Sequence, residues 1–235
     1  MTPVRKRGLL ITFEGGEGCG KSTQLELIRT YLESQGYEVL ATREPGGTPL
    51  AEAIRAILLD PANEALSPVT ELLLYEAARA QHVAERIGPA LEAGKIVLSD
   101  RFYDSTTAYQ GAGRGLPLDN LSGLHAIATK GLEPDLTIVI DVPAALGLAR
   151  ATQGGSDRIE REKIDFHERV RAGFLRIARE EPGRVRVVDG AKSLDEVAAA
   201  VRENVDALLN LWKRRPRRLP PVARRDEDIA STKRK

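Results

Sequence analysis

The sequence predicts a single α/β domain of three layers, a five-stranded parallel sheet with helices on both faces. Three observations carry that prediction. Five short apolar runs recur along the chain, helical patterns with legible ends alternate with them, and a glycine-rich phosphate-binding motif joins the first run to the first helix. Runs that are apolar at nearly every position belong to strands covered on both faces.

The first run is "GLLITFE" (8–14). After the glycine-rich stretch comes a helical pattern from Gly20 to Gln35, with Leu25, Leu27, Ile28, Tyr31 and Leu32 at helical spacing and Gly36 as the stop. "YEVLATRE" (37–44) is the second strand. Thr48-Pro49 and Ser67-Pro68 each place a hydroxyl cap ahead of a proline at the first helical position. "KIVLSDR" (95–101), "DLTIVIDV" (135–142) and "RVRVVDG" (184–190) complete the five strands. Ser193 with Glu196 reads as a capping box that opens a last helix through about Leu211.

The 235 residues suffice for one such domain. One cysteine excludes an intrachain disulfide and suits a reducing compartment. No segment approaches the ~18 apolar residues of a membrane helix, and "MTPVRKRG" lacks the apolar core of a signal peptide, so a cytoplasmic location with no membrane partner is expected. The net charge of +1 hides an asymmetry. Residues 213–235 carry ten Lys/Arg and three Asp/Glu, leaving 25 basic and 31 acidic side chains for residues 1–212. The domain is therefore placed at 1–212, and 213–235, with three prolines and almost no apolar period, is expected to be a disordered basic tail. An electrostatic arm for nucleic acid is the functional alternative for it.

"GGEGCGKS", Gly15 to Ser22, matches G-x-x-x-x-G-K-[ST] between a predicted strand and a predicted helix. Gly15, Gly18 and Gly20 allow backbone angles that turn successive N–H groups inward around an anion, and the helix adds its positive end. Gly16, Glu17 and Cys19 fill the remaining loop positions. Lys21 can reach the β- and γ-phosphates of ATP, and the Ser22 hydroxyl can ligate Mg²⁺. The motif alone does not separate a kinase from a switch GTPase or a motor ATPase. A switch usually carries an N-K-x-D element, and the sequence has none.

Three further stretches narrow the choice. "SDRFYDSTTAYQGAGR" (99–114) follows the third strand, where ligands gather in open α/β sheets; Asp100 could hold the metal and Arg101 a second phosphate. A surface ion pair explains that dipeptide equally well. In "LLLYEAARAQH" (72–82), Tyr75 and Arg79 share a helix face and offer an aromatic plane with a phosphate fork; core packing is the plainer reading of a helical tyrosine. "LARATQGGSDRIERE" (148–162), with Arg150, Arg158 and Arg161, could be a mobile lid over about 150–162 that brings cations onto a transferring phosphoryl group, or an ordinary exposed loop.

Together these residues resemble the bacterial thymidylate kinases, P-loop enzymes that phosphorylate dTMP with ATP. "FEGGEGCGKST", "TREPGGTPLAEAIR", "LLLYEAARAQH", "SDRFYDSTTAYQGAGR" and "DRIE" occur in the family's order from about Leu9 to about Leu209. The resemblance implies the P-loop kinase fold, Mg²⁺ with ATP as donor, a role in dTTP biosynthesis, and a homodimer to which helices such as 67–86 contribute. It implies that Glu17 lies near the sugar 3′-hydroxyl, that Tyr75 stacks on thymine, and that Arg79 meets the dTMP phosphate. Arg101 would contact the phosphoryl groups between donor and acceptor. Thr106 and Gln110 would lie at the thymine edge, Tyr109 would wall the sugar, and Arg43 would support the acceptor loop. With no arginine in the phosphate loop, the lid arginines Arg150 or Arg158 would share the catalytic charge with Lys21 and Arg101. Phe102 stands where the family commonly has Tyr or His, and Cys19 where a small Ala is usual. The rival readings are a kinase for another nucleoside monophosphate and a nucleic-acid-associated ATPase that uses the basic tail.

Overall fold

A computed structural model describes residues 7–151 and 157–214. The strands are β1 (Leu9–Glu14), β2 (Val39–Arg43), β3 (Ile96–Asp100), β4 (Leu136–Asp141) and β5 (Val185–Asp189). All pairings are parallel, in the order β2-β3-β1-β4-β5. The helices are α1 (Lys21–Ser34), α2 (Pro49–Leu59), α3 (Pro68–His82), α4 (Gly88–Glu92), α5 (Tyr103–Thr106), α6 (Leu118–Thr129), α7 (Ala144–Ala151), α8 (Ile164–Glu180) and α9 (Leu194–Arg214).

The five expected strands and the main helices are all present, trimmed by one or two residues. β1, β3 and β4 in the centre are buried at nearly every position, whereas the edge strands β2 and β5 are only partly covered. The caps act as the sequence indicates. Thr48 accepts from the Ala51 amide at 3.3 Å and Ser67 from the Thr70 amide at 3.2 Å, each with proline next in the chain. Ser193 and Glu196 bond reciprocally at 3.1 and 3.4 Å. The helix they open runs past Leu211 to Arg214, taking in Lys213 and Arg214; the rest of the expected tail, 215–235, lies outside the described residues, as do 152–156 of the expected lid.

Alternation along β1 divides the core. Leu9, Ile11 and Phe13 face α1 and α9, meeting Leu25, Ile28, Leu32, Val201 and Val205. Leu10 faces the other layer, with Val83, Ile87, Leu91, Val97 and Phe102, while Val139 and Val185 meet Phe166, Val170 and Phe174 of α8. Each large side chain buried in this way contributes about 1.5–3 kcal/mol, enough to hold an irregular segment against α8. That segment is Thr107–Gly113, a π-helical turn following α5. α8 packs on it so closely that a Cβ at Gly113 would lie 2.7 Å from Phe166.

Candidate active site

The C-terminal ends of β1 and β3 are neighbours in the sheet, and the candidate site forms over them. Gly15, Gly18 and Gly20 have φ of 136°, 60° and 95°, conformations that side chains with a Cβ rarely adopt. A Cβ at Gly15 would lie 2.4 Å from the Ile140 carbonyl oxygen, and one at Gly18 2.0 Å from that of Gly147 in α7. The loop is thus wedged, backbone against backbone, between β4 and α7. Lys21 is buried, its Nζ donating to the Gly16 carbonyl at 2.8 Å and lying 3.5 Å from Cys19 Sγ. Cys19 is itself buried, and its small side chain fits the loop. The Ser22 hydroxyl donates to Asp100 Oδ2 at 2.6 Å.

Beside the loop a cavity opens, lined on the loop side by Glu17 and Arg101. Arg101 joins the two. Its Nη1 donates to the Gly15 carbonyl at 2.9 Å and its Nη2 to Glu17 at 2.8 Å and to the Tyr109 hydroxyl at 3.0 Å, with the guanidinium 4.9 Å over the tyrosine ring. Burial would raise the Glu17 pKa, but the charges of Arg101 and Lys21 and a hydrogen bond from Tyr109 outweigh it and hold the carboxyl at about 2. Burial pushes the Tyr109 hydroxyl well above its ordinary value against the opposing charge of Arg101, and Glu17 adds to the rise, so it remains a donor.

Tyr75, Thr106, Tyr109 and Gln110 also line the cavity, as the sequence expects of an acceptor pocket. Arg79 does not. It is 2% exposed and lies behind the wall, donating from Nε to Glu44 at 2.8 Å, from Nη1 to Glu76 at 2.5 Å and from Nη2 to Thr106 at 3.0 Å. Arg43 lies outside the cavity as well, paired at 3.1 Å with Glu52, whose carboxylate takes the Gly47 amide at 2.8 Å. It braces the loop before α2 from the far side. Phe102 is fully buried in the core, 5.6 Å from the Arg79 guanidinium.

The arginines of the expected lid, Arg158 and Arg150, bond residues other than those of the phosphate loop. Arg158 is 6% exposed and pairs with Glu71 at 2.6 Å, with its Nε on the Leu58 carbonyl at 2.8 Å. Glu71 further accepts from Gln110 at 2.8 Å and Arg114 at 3.1 Å. Arg158 therefore pins its own segment, whose Asp157 and Ile159 line the cavity, against α2 and α3. Arg150 on α7 makes a long 3.4 Å contact with the Gly190 carbonyl.

The residue that sequence reasoning missed is Arg55. It lines the cavity from α2 and donates to the Pro45 carbonyl at 2.8 Å. Burial, then the like charge of Arg43, lower its pKa from the ordinary arginine value, the mark of a cation short of counter-charge. A signal was present: Ala51, Arg55 and Leu58 fall on one helical face, and an arginine in an otherwise buried stripe needs a reason.

Comparison with known proteins bears on the same residues. The family model described as thymidylate kinase matches residues 13–201. The chain is 52% identical over 211 residues to the thymidylate kinase of Geotalea daltonii, covering 86% of this chain and 99% of the relative. It is 53% identical over 215 residues to that of Geobacter sulfurreducens, covering 88% and 100%. Among solved structures, the crystal structure of thymidylate kinase from Ehrlichia chaffeensis superimposes with a TM-score of 0.70 at 35% identity, covering 85% of this chain and 99% of that one.

Proposed function

The chain belongs to the thymidylate kinase family, and from that premise we propose how its site carries out ATP-dependent phosphorylation of dTMP to dTDP, a step of dTTP synthesis. One observation carries the reading of the site: Arg101 bonds the phosphate loop at Gly15 with one nitrogen and the acceptor cavity at Glu17 and Tyr109 with the other. A cation so placed faces both the donor and the acceptor phosphate.

ATP lies with its phosphates on Gly15–Ser22 and Lys21. The dTMP phosphate lies on Arg55, the cavity cation with spare charge, while Glu17 takes the sugar 3′-hydroxyl and Tyr109 walls the sugar. The base lies against Tyr75, with Thr106 and Gln110 at its edge and Leu59 and Ile159 as apolar wall. Arg79 acts from behind, fixing Thr106 by their hydrogen bond. Because phosphoryl transfer has a loose transition state, these residues contribute position and positive charge, and the anionic acceptor oxygen requires no strong base. Of the lid arginines we assign the mobile catalytic charge to Arg150, since Arg158 is engaged by Glu71.

The oxygen pair of Ser22 and Asp100 suits Mg²⁺, which is commonly held by one or two protein ligands and the substrate phosphates. When bound it supplies neutralising charge to those phosphates.

We propose a homodimer formed through α2, α3 and α6. These adjoining helices expose Leu50, Ile57, Val69, Leu73 and Ile127, the last 77% accessible. We propose a cytoplasmic location, supported by the single buried thiol of Cys19. No helix among the described residues is long and apolar enough to cross a membrane.

The test is an ADP-release panel across dTMP, dUMP, UMP, CMP, AMP and GMP. We expect dTMP first and dUMP next, because a missing methyl changes preference by only ~1–3 kcal/mol. Preference for UMP or CMP would overturn the assignment of the cavity.

A further inference from the structure

Glu14 ends β1 on the face opposite Phe13, so its carboxylate lies under the segment that follows β3, and it is fully buried. Both oxygens are bonded there. Oε1 accepts from the Phe102 amide at 2.7 Å, and Oε2 accepts from the Ser105 hydroxyl. Ser105 in turn accepts from Arg101 Nη1 at 3.1 Å.

Arg101 sits in the middle with φ of 71°, a left-handed conformation that a residue with a Cβ rarely adopts. Such strain persists only where the surroundings over-determine it. Three bonds do so here. The Arg101 amide donates to the Phe13 carbonyl at 2.9 Å, the Ser99 hydroxyl donates to the Arg101 carbonyl at 2.8 Å, and Glu14 takes the next amide, that of Phe102. Only Glu14 also reaches the guanidinium, through Ser105.

We infer that Glu14 is a positioning residue for Arg101: its carboxylate fixes the left-handed turn and, through Ser105, the direction of the guanidinium between phosphate loop and acceptor cavity. The inference rests on the dTMP kinase reading only for what Arg101 acts upon. In the ionised state of Glu14, above about pH 8, hydrogen-bond polarity is consistent along the chain, because Nη1–H donates to Oγ and Oγ–H donates to an acceptor-only carboxylate. A glutamine at this position keeps an acceptor for Phe102 but turns a donor, or a lone acceptor, toward Ser105. Burial, then Asp104, raise the Glu14 pKa to about 8 against the opposing pull of Ser105, Arg101 and the Phe102 amide. Asp104 is itself answered by Arg184 at 2.7 and 2.8 Å. The anchor of Arg101 thus changes charge close to neutrality.

The test compares Glu14→Gln and Ser105→Ala with the wild type in full-length protein. The readouts are kcat and KM for dTMP across about two pH units either side of neutrality, the Kd for ADP, and a crystal structure of each variant. We expect kcat above about pH 8, where the wild-type carboxylate is ionised, to fall on the order of 10²-fold from misplacement of Arg101, with the ADP Kd changed less than about twofold. The wild type should show a pH dependence of kcat near 8 that Glu14→Gln lacks. In the crystals, Arg101 should leave its left-handed conformation or its bond to Gly15. Unchanged kcat and an unmoved Arg101 would overturn the inference, as would an ADP affinity that falls as far as kcat. If Glu14→Gln does not fold, Ser105→Ala decides on the same readouts. If the wild type ignores dTMP, the functional reading fails, while the crystallographic position of Arg101 still decides the positioning role.

Discussion

The hydroxyl of Ser22 meets Oδ2 of Asp100 at 2.6 Å, tying the first turn of α1 to the last residue of β3 across 78 positions of chain. Both are hard oxygen ligands, and together they stand at the mouth of the phosphate loop. Chelation of divalent cations should therefore stop turnover, and Ser22→Ala and Asp100→Asn should each raise the Mg²⁺ concentration for half-maximal rate by about 10–100-fold. Magnesium titrations of initial rate check this; an unshifted curve in both variants would remove the pair from the metal site.

Arg55 is the cavity arginine to which we assign the dTMP phosphate. Arg55→Ala should raise the KM for dTMP by the loss of a charge-assisted hydrogen bond, about 1.5–3 kcal/mol or roughly 10–100-fold, and leave the KM for ATP near its original value. Steady-state kinetics with each substrate varied in turn separate the two. A rise in the ATP KM alone would place Arg55 in the donor site.

Gly147 is a helical glycine whose replacement by alanine would ordinarily stabilise, by about 0.5–1 kcal/mol. Here a Cβ would lie 2.3 Å from the Glu17 carbonyl oxygen. Gly147→Ala should therefore lower the melting temperature and weaken ADP binding together, since the phosphate loop must give way. Gly18→Ala meets the same contact from the other side, with a φ of 60° added, and should be worse. Calorimetry with and without ADP is the measurement.

Glu17 and Glu14 give opposite limbs to the pH–stability curve. Glu17, faced by Arg101, Lys21, Tyr109 and His167, has its folded pKa depressed to about 2 from 4.5. Its contribution is present above 4.5 and is lost as pH falls toward 2, on the order of 3 kcal/mol at most. Glu14, faced by Asp104 and Arg101, has its folded pKa raised to about 8, so stability falls as pH rises from 4.5 to 8. Denaturant titrations across pH should show the acid limb flatten in Glu17→Gln and the alkaline limb flatten in Glu14→Gln.

Leu73 is half exposed on α3, in the middle of the apolar face we assign to the dimer. Leu73→Asp should shift sedimentation from dimer to monomer with only a modest change in the melting temperature of the isolated fold, as about half of the side chain is already in solvent within one chain. A wild type that sediments as a monomer at micromolar concentration would sink the proposed interface.

The sequence determined the parts whose physics is local. Near-continuous apolar runs marked β1, β3 and β4, hydroxyl–proline pairs marked the starts of α2 and α3, and glycine spacing marked the phosphate loop, because strand burial, capping and positive φ each depend on a few adjacent residues. The resemblance named Tyr75, Thr106, Tyr109 and Gln110 as one group, and the four line one cavity. What the sequence could not decide was which cation faces inward. Arg79 and Tyr75 share a helix face by spacing, yet Glu44 and Glu76, 35 and 3 positions away, draw the arginine behind the wall. Arg55 faces the cavity instead, and Arg158 turns to Glu71. A long side chain goes where its counter-charge lies, and only the packing of β2, α2 and α3 against one another sets that place.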